Sequence, residues 1–294
     1  MKDKDQKEHQ KDQEKHQKDQ EKHQKDLEKK SNEVEESKKY SEILSSVIHE
    51  GEQLFKIKKR AMFLSACIAG LEIGFSYLLI CSLYFLMEGS FSESVIFKMF
   101  AAVYPLGFIL VILGKSALFT EQTSVLALPV LNRQRSILEL LNIWGVVILG
   151  NIIGGVVFVF SIGSLAEHLG IFNQTTMVKI GIHVSDHSYW ILFLSAIFAG
   201  WLMGLLTWLL NSTIDVLARI VIITIITGTI GFIGFHHSIV GNIEVFGAYL
   251  YSDAVSITDY LSFLLLTLLG NGIGGAIVVG LFKYRIFASN YASD

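Results

Sequence analysis

Two short segments of this chain match each other. Gly150-Asn151-Ile152-Ile153-Gly154-Gly155 lies in one apolar stretch, and Gly270-Asn271-Gly272-Ile273-Gly274-Gly275 lies in another, 120 positions later. About thirty residues before each, an apolar run is interrupted by polar residues: Thr120-Glu121-Gln122-Thr123 in the first half, His236-His237-Ser238 with Gly241-Asn242 in the second. Lipid tolerates no unsatisfied backbone, so a break at that depth must line a cavity or be buried in protein. A chain of two related halves, each with one broken membrane helix, meets this demand and is how many transporters and channels place polar groups at mid-bilayer.

The charge distribution supports a membrane protein. Residues 1–60 hold 16 of the 24 Lys+Arg and 15 of the 27 Asp+Glu, which leaves 8 and 12 for the other 234 residues. A soluble domain of that size needs far more surface charge. Several stretches reach the roughly 20 apolar residues that span a bilayer. The reading is an all-α polytopic membrane protein, and a globular enzyme is excluded. Almost nothing apolar occurs in the first thirty residues, so no secretory signal peptide is expected and the first membrane segment serves for insertion. Cys67 and Cys81 both lie in that segment, with no metal-ligand spacing around them, and read as ordinary small helix residues.

Four parts are expected along the chain. Residues 1–39 are a charged tail built on a seven-residue repeat beginning at His9, His16 and His23, without an apolar seam until Leu27 and Val34. It reads as a solvated, weakly helical segment and a possible anchor for a cytoplasmic partner. Residues 40–60 form an amphipathic helix, with Ile43, Leu44, Val47, Ile48, Leu54 and Phe55 at helical spacing, along the membrane surface or a neighbouring subunit. Residues 61–287 are the six-span pore domain, and 288–294 a short tail. The spans fall at about 61–87, 95–131, 137–162, 189–210, 217–251 and 259–282, the second and fifth being too long for simple crossings and carrying the breaks.

Basic residues set the orientation. Lys56, Lys58, Lys59 and Arg60 precede the first span, Arg133 and Arg135 follow the second, Arg219 lies between the fourth and fifth, and Lys283 and Arg285 follow the sixth. All fall on one side of six spans, whereas the loops near Glu88–Glu93, Glu167–Ser188 and Tyr251–Asp259 are acidic or neutral. Both termini are thus expected in the cytoplasm. Within spans, Gly70 with Gly74, Gly150 with Gly154, Gly200 with Gly204 and Gly270 with Gly274 are four apart, on one helix face, and read as packing positions.

Three motifs carry a resemblance. Gly114-Lys115-Ser116-Ala117-Leu118-Phe119-Thr120-Glu121-Gln122-Thr123, then His237-Ser238-Ile239-Val240-Gly241-Asn242, then the paired Gly-Asn-x-x-Gly-Gly stretches resemble the formate/nitrite transporter family over roughly residues 40–285. The Phe-Thr-Glu-x-Thr form and the following Leu128-Pro129 resemble a divergent branch whose substrates are less settled. The resemblance implies an aquaporin-like six-helix bundle with an inverted repeat. It also implies a homopentamer of independent pores, small monovalent anions or their conjugate acids as permeants, and no cofactor.

Roles follow from the residues and from the resemblance together. Bulky apolar side chains at a pore waist exclude hydrated ions, because stripping water from a small anion costs many kcal/mol. The resemblance puts Leu118 and Phe119 at that constriction, and lining up from the same motifs puts Phe108, Tyr104 and Ile230 at pore-facing positions. Thr120 offers a hydroxyl able to donate to a carboxylate or a histidine nitrogen and is implied to face the central histidine. That histidine is His237. An imidazole among apolar helices is a functional candidate by default, able to exchange a proton with a passing anion; the competing reading is a structural bond to a carbonyl freed by the break. His236 is expected to point elsewhere, so the pair is not read as a metal site. Ser238, Gly241 and Asn242 complete the second loop, with the Asn displaced by one residue from the commoner pattern and expected to cap the second half-helix.

The chain departs from the family where much of it has a vestibule lysine. The equivalent stretch is Ile182-His183-Val184-Ser185-Asp186-His187, with Val184 at the lysine position and Lys179 further out. Lys115 is the alternative cation, either attracting the anion or pairing with Glu121, which itself either repels anions or holds the first loop through backbone N–H groups. Glu244 is expected to cap the second half-helix, and Glu72 to face a subunit contact or the pore. The function expected is a channel or proton-linked transporter of formate, nitrite or a short-chain carboxylate in the inner membrane. A water or neutral-solute channel on the same fold and a non-transporting scaffold are the alternatives.

Overall fold

The computed structural model describes Lys25 and residues 40–291, so the seven-residue repeat, its histidines and the last three residues lie outside the described residues. Ile43–Asp294 makes up one unit. Its described residues form helices joined by short loops, with one isolated bridge between Glu88 and Phe91.

Helix α1 (Tyr40–Lys56) buries Ile43, Leu44 and Val47. It packs against its own chain there: a Cβ on Gly51 would stand 2.8 Å from the Pro129 ring. The first span is α2 (Lys59–Met87). The second begins with α3 (Glu93–Met99), a 3₁₀ turn (Phe100–Ala102) and α4 (Pro105–Gly114), breaks at 115–118, and resumes as α5 (Phe119–Leu131). The third is α6 (Ile137–His168), started by a capping box between Ser136 and Glu139 that contributes about 1 kcal/mol. The stretch expected as an open loop before the fourth span contains a helix, α7 (Gln174–Ser185), capped by Asn173. The fourth span is α8 (Tyr189–Asn211). The fifth is α9 (Val216–Ile233), a break at 234–237, and α10 (Ser238–Tyr251). The sixth, α11 (Ile257–Ile273), widens into a π-helical run (Gly274–Leu281) and passes into α12 (Phe282–Tyr291), which crosses the boundary expected at residue 287.

The two halves repeat one construction. In the first, α2 crosses α6 where Gly150 would bring a Cβ within 2.5 Å of the Ala66 Cβ; in the second, α8 crosses α11 where Gly270 would bring one within 2.6 Å of Ala196. A Cβ on Gly70 would overlap the Asn151 carbonyl, and one on Gly200 the Asn271 carbonyl. Close backbone approach of this kind replaces the hydrophobic drive that lipid does not supply. Three crossings separate the two first spans, so the halves run in opposite senses. Among the described residues, six helical stretches are long and apolar enough to cross a membrane. On the basic face, Arg135 grips Glu52 of α1 through two bonds of 2.9 and 3.0 Å, and Ser46 reaches Asn211 at 3.1 Å.

Candidate functional site

Each break is held by one asparagine. Asn151 Oδ1 accepts the Phe119 N–H at 2.9 Å, while its amide donates to the carbonyls of Ala117 (2.8 Å) and Ala66 (2.9 Å). Asn271 Oδ1 accepts the Ser238 N–H at 2.8 Å, and its amide donates to His236 (3.0 Å) and Ala196 (2.7 Å). A serine on the adjoining span completes each cradle: Ser65 accepts the Ala117 N–H at 3.0 Å, and Ser195 the His236 N–H at 3.1 Å. Each break turns on a left-handed residue, Lys115 (φ 58°) and Gly234 (φ 83°). These bonds satisfy the backbone groups that the breaks expose within the membrane. Sequence reasoning noted both asparagines as repeats and gave them no role; their pairing with a polar break was the available signal.

The breaks meet at a single polar contact. Thr120 Oγ1 lies 2.6 Å from His237 Nε2, both side chains being buried. His237 also caps α10, its Nδ1 accepting the Val240 N–H at 3.3 Å. A neutral ring with an acceptor at Nδ1 carries its hydrogen on Nε2, so His237 donates to Thr120. The sequence reading has the Thr120 hydroxyl able to donate to a carboxylate or a histidine nitrogen; with the ring as donor, the hydroxyl hydrogen points away from the ring. Phe108 stands edge-on to the His237 ring with centroids 5.0 Å apart, and Tyr104 stacks on Phe108 at 5.5 Å. Leu118 is fully buried, and Phe119 packs edge-on against Trp144 at 5.6 Å.

Above His237 opens a vestibule of about 330 Å³ on the acidic face. Tyr104, Ile230 and Gly241 line it, with Glu244, His183 and His187. His183 stacks on Phe97 with centroids 3.5 Å apart. Partial desolvation, with the nearby His187, holds His183 below the ordinary imidazole value of 6.5. His236 faces the same space rather than pointing away: its Nδ1 meets Ser195 Oγ at 2.8 Å and its Nε2 the Val184 carbonyl at 3.0 Å. Val184 therefore offers a carbonyl where the resemblance implies a lysine. Lys98 lies at the rim, bonded to the Phe232 carbonyl at 2.7 Å, and was missed because one Lys at a span end looks like an ordinary interfacial residue. Lys179 pairs with Glu88.

Several expectations need correction. Lys115 is exposed, does not line the vestibule, and forms no ion pair with Glu121 among the described residues. Glu121 lies instead in the field of Glu50 and Arg219, and its backbone carbonyl, not its carboxylate, makes the loop-side bond, to Thr207 at 2.9 Å. Asn242 does not cap α10; its Oδ1 accepts from the Tyr260 hydroxyl at 2.6 Å, and His237 supplies the cap. Glu244 is too far into α10 to cap it and lies on the vestibule wall. Glu72 is half-buried beside Gly114, with Oε2 unpartnered. Ser238 contributes its N–H to the Asn271 cradle while its hydroxyl is buried without a partner.

Comparison with known proteins agrees with this geometry. The sequence profile described as formate/nitrite transporter matches residues 41–285. The inner membrane protein YfdC of Escherichia coli (strain K12) is 32% identical over 242 residues, covering 80% of this chain and 74% of that protein. The formate channel BtFdhC of Bacillus thuringiensis is 26% identical, covering 87% and 98%. A solved structure described as a pentameric formate channel with formate bound superposes with a TM-score of 0.68 at 23% identity, covering 78% of this chain and 97% of that one. With the profile spanning both breaks and both asparagine cradles, the chain belongs to the formate/nitrite transporter family.

Proposed function

We propose that this protein is a homopentameric inner-membrane pore for small monovalent anions of weak acids, such as formate, nitrite or a short-chain carboxylate, and that the permeant crosses the waist as the neutral acid. The basic face is assigned to the cytoplasm, the vestibule to the opposite side. No covalent conversion is performed. The observation that carries the reading is the Thr120–His237 contact at the floor of the vestibule, with the Phe108 ring edge-on to His237 and Leu118 fully buried two residues before Thr120.

Energetics support the neutral form. Moving a bare carboxylate-sized ion from water into a medium like this waist costs on the order of 20 kcal/mol before relaxation. A neutral hydroxyl or carbonyl costs about 2–7 kcal/mol, and less with a hydrogen-bond partner. The Thr120 hydroxyl, already accepting from His237, has its hydrogen free to provide that partner. Formate is supported by the formate channel BtFdhC, and formate and a pentamer by the solved pentameric formate channel whose fold superposes on this one.

Uptake of radiolabelled formate into proteoliposomes tests the reading. Uptake by the full-length protein rises as external pH falls, and His237→Ala and Thr120→Val lower it about tenfold or more. Equal uptake by all three proteins at every pH would refute the assignment. Osmotic swelling without formate flux would favour a neutral-solute channel.

A further inference from the structure

The hydrogen bonds of His237 leave no vacant nitrogen for an incoming proton. Nδ1 accepts the Val240 N–H and Nε2–H donates to Thr120. A second proton on this ring requires Nδ1 to release a backbone donor in the first turn of α10, deep in the membrane, where it finds no water.

An acid without such ties stands above it. Glu244 shares one face of α10 with His237 and Gly241, about 10 Å further toward the vestibule mouth by helical rise. It is 6% exposed, and that exposure is to the vestibule, where it is the sole acidic lining residue among those described. No cation pairs with it among the described residues. The groups around it are few. Tyr77 and Cys81 approach from α2, and Tyr104 from the turn before α4. Lys98 of α3 is held at the rim by Phe232, while α6 and α11 contribute no lining residue. The same cavity is lined by His183 in α7, His187 just past its end, and His236 in the break. His187 links the others, with ring centroids 6.5 Å from His183 and 5.2 Å from His236. A net negative charge at such a place costs several kcal/mol unless a proton neutralises it.

We propose that Glu244 is the acid that hands a proton to the permeating anion in the vestibule, before the constriction. The inference rests on the neutral-acid reading above. The Glu244 O–H bond breaks as an O–H bond forms on the anion; the neutral acid enters the waist, and Glu244 is left as a carboxylate. Hydronium from the solution at the mouth restores it, with the exposed rings of His183 and His187 on the route. His237 then acts as a fixed donor to Thr120 and does not change protonation during passage.

The test uses full-length protein in proteoliposomes with a pH dye inside and radiolabelled formate outside. Glu244→Gln, alike in shape but without a transferable proton, lowers uptake and internal acidification at neutral pH by about a hundredfold, and the deficit narrows at acidic pH, where bulk solution supplies ready-made acid. Glu244→Asp stays within about tenfold of the parent. Chloride and nitrate give no flux in any of the proteins. An E244Q protein equal to the parent at both pH values would overturn the inference, as would chloride flux matching formate flux. Absence of formate flux in the unaltered protein at every pH would instead refute the pore reading itself. Should E244Q not give dispersed protein, carbodiimide labelling of the unaltered protein decides: modification at Glu244, slowed by formate, supports the proposal, and modification of Glu72 or Glu121 without Glu244 refutes it.

Discussion

Removing the side chain that holds the second break tests how the site is built. Asn271→Ala deletes three hydrogen bonds, but they are not equal. The Ala196 carbonyl lies inside α8 and keeps its helical partner, so little is lost there. The Ser238 N–H and the His236 carbonyl belong to the break, and Asn271 is their hydrogen-bond partner among the described residues. Each buried orphan costs about 1–3 kcal/mol, which puts the variant at about 2–6 kcal/mol of destabilisation. Thr267→Val is the control on the same helix. Its hydroxyl bonds only to the Phe263 and Leu264 carbonyls, which keep their helical donors, so it costs below about 1 kcal/mol. The assay is the thermal midpoint of the detergent-solubilised protein, read as loss of dispersed oligomer, alongside formate uptake. Asn271→Ala lowers the midpoint several times more than Thr267→Val and loses uptake, because the Ser238 N–H sits next to His237. A midpoint within that of the threonine control would refute the idea that this amide, rather than packing around it, holds the break.

Two further outcomes follow from other contacts. Gly70→Ala or Gly200→Ala places a methyl against a backbone carbonyl of the crossing helix, a clash no rotamer can relieve, and costs about 1–3 kcal/mol or more; Gly145→Ala, which meets nothing within 4 Å, leaves dispersion by gel filtration unchanged. The hydrogen bond and charge of Arg135 hold the Glu52 carboxyl below its ordinary value of 4.5. Its stabilisation, at most about 1 kcal/mol for so solvated a pair, is therefore complete at neutral pH and fades as pH falls below 4.5 through the folded value. The gap in thermal midpoint between the parent and Glu52→Gln should close over that window, and a gap independent of pH would refute the pairing.

Much of this architecture was legible before any coordinates. Span number and the two breaks follow from apolar length and from polar residues that lipid excludes, signals that need no tertiary context. The helix α7 was not, since twelve residues with mixed polarity between two spans look like a loop, and only the small residue Gly181, pressed against the Glu244 carbonyl, shows why a helix fits there. Proximity in sequence does not make contact in this fold. Lys115 and Glu121 are six apart, yet the chain reverses between them at a left-handed residue, so their side chains part. Nearness to a helix start makes Asn242 and Glu244 look like caps, whereas the cap position is held by His237, which also stands at the floor of the vestibule.

The repeat also explains why the chemistry falls on one side. The two cradles superpose residue on residue in their bonding: Ser65 and Ser195, Ala117 and His236, Asn151 and Asn271 do the same work. By that correspondence Leu118 and His237 stand at equivalent backbone positions, each immediately before the residue whose N–H the asparagine accepts. The scaffold thus does not require an imidazole; one half fills the place with an apolar side chain. Seven residues on, Val125 in α5 is the counterpart of Glu244 in α10, and both are buried. Three positions that are apolar in the first half, Ala117, Leu118 and Val125, are ionisable in the second, as His236, His237 and Glu244, and all three of the ionisable ones line the vestibule. A requirement of packing alone would act on both halves alike, since the backbone contacts are alike. The difference is instead what a pore needs if protons are exchanged at one mouth and the waist beyond it is to stay dry.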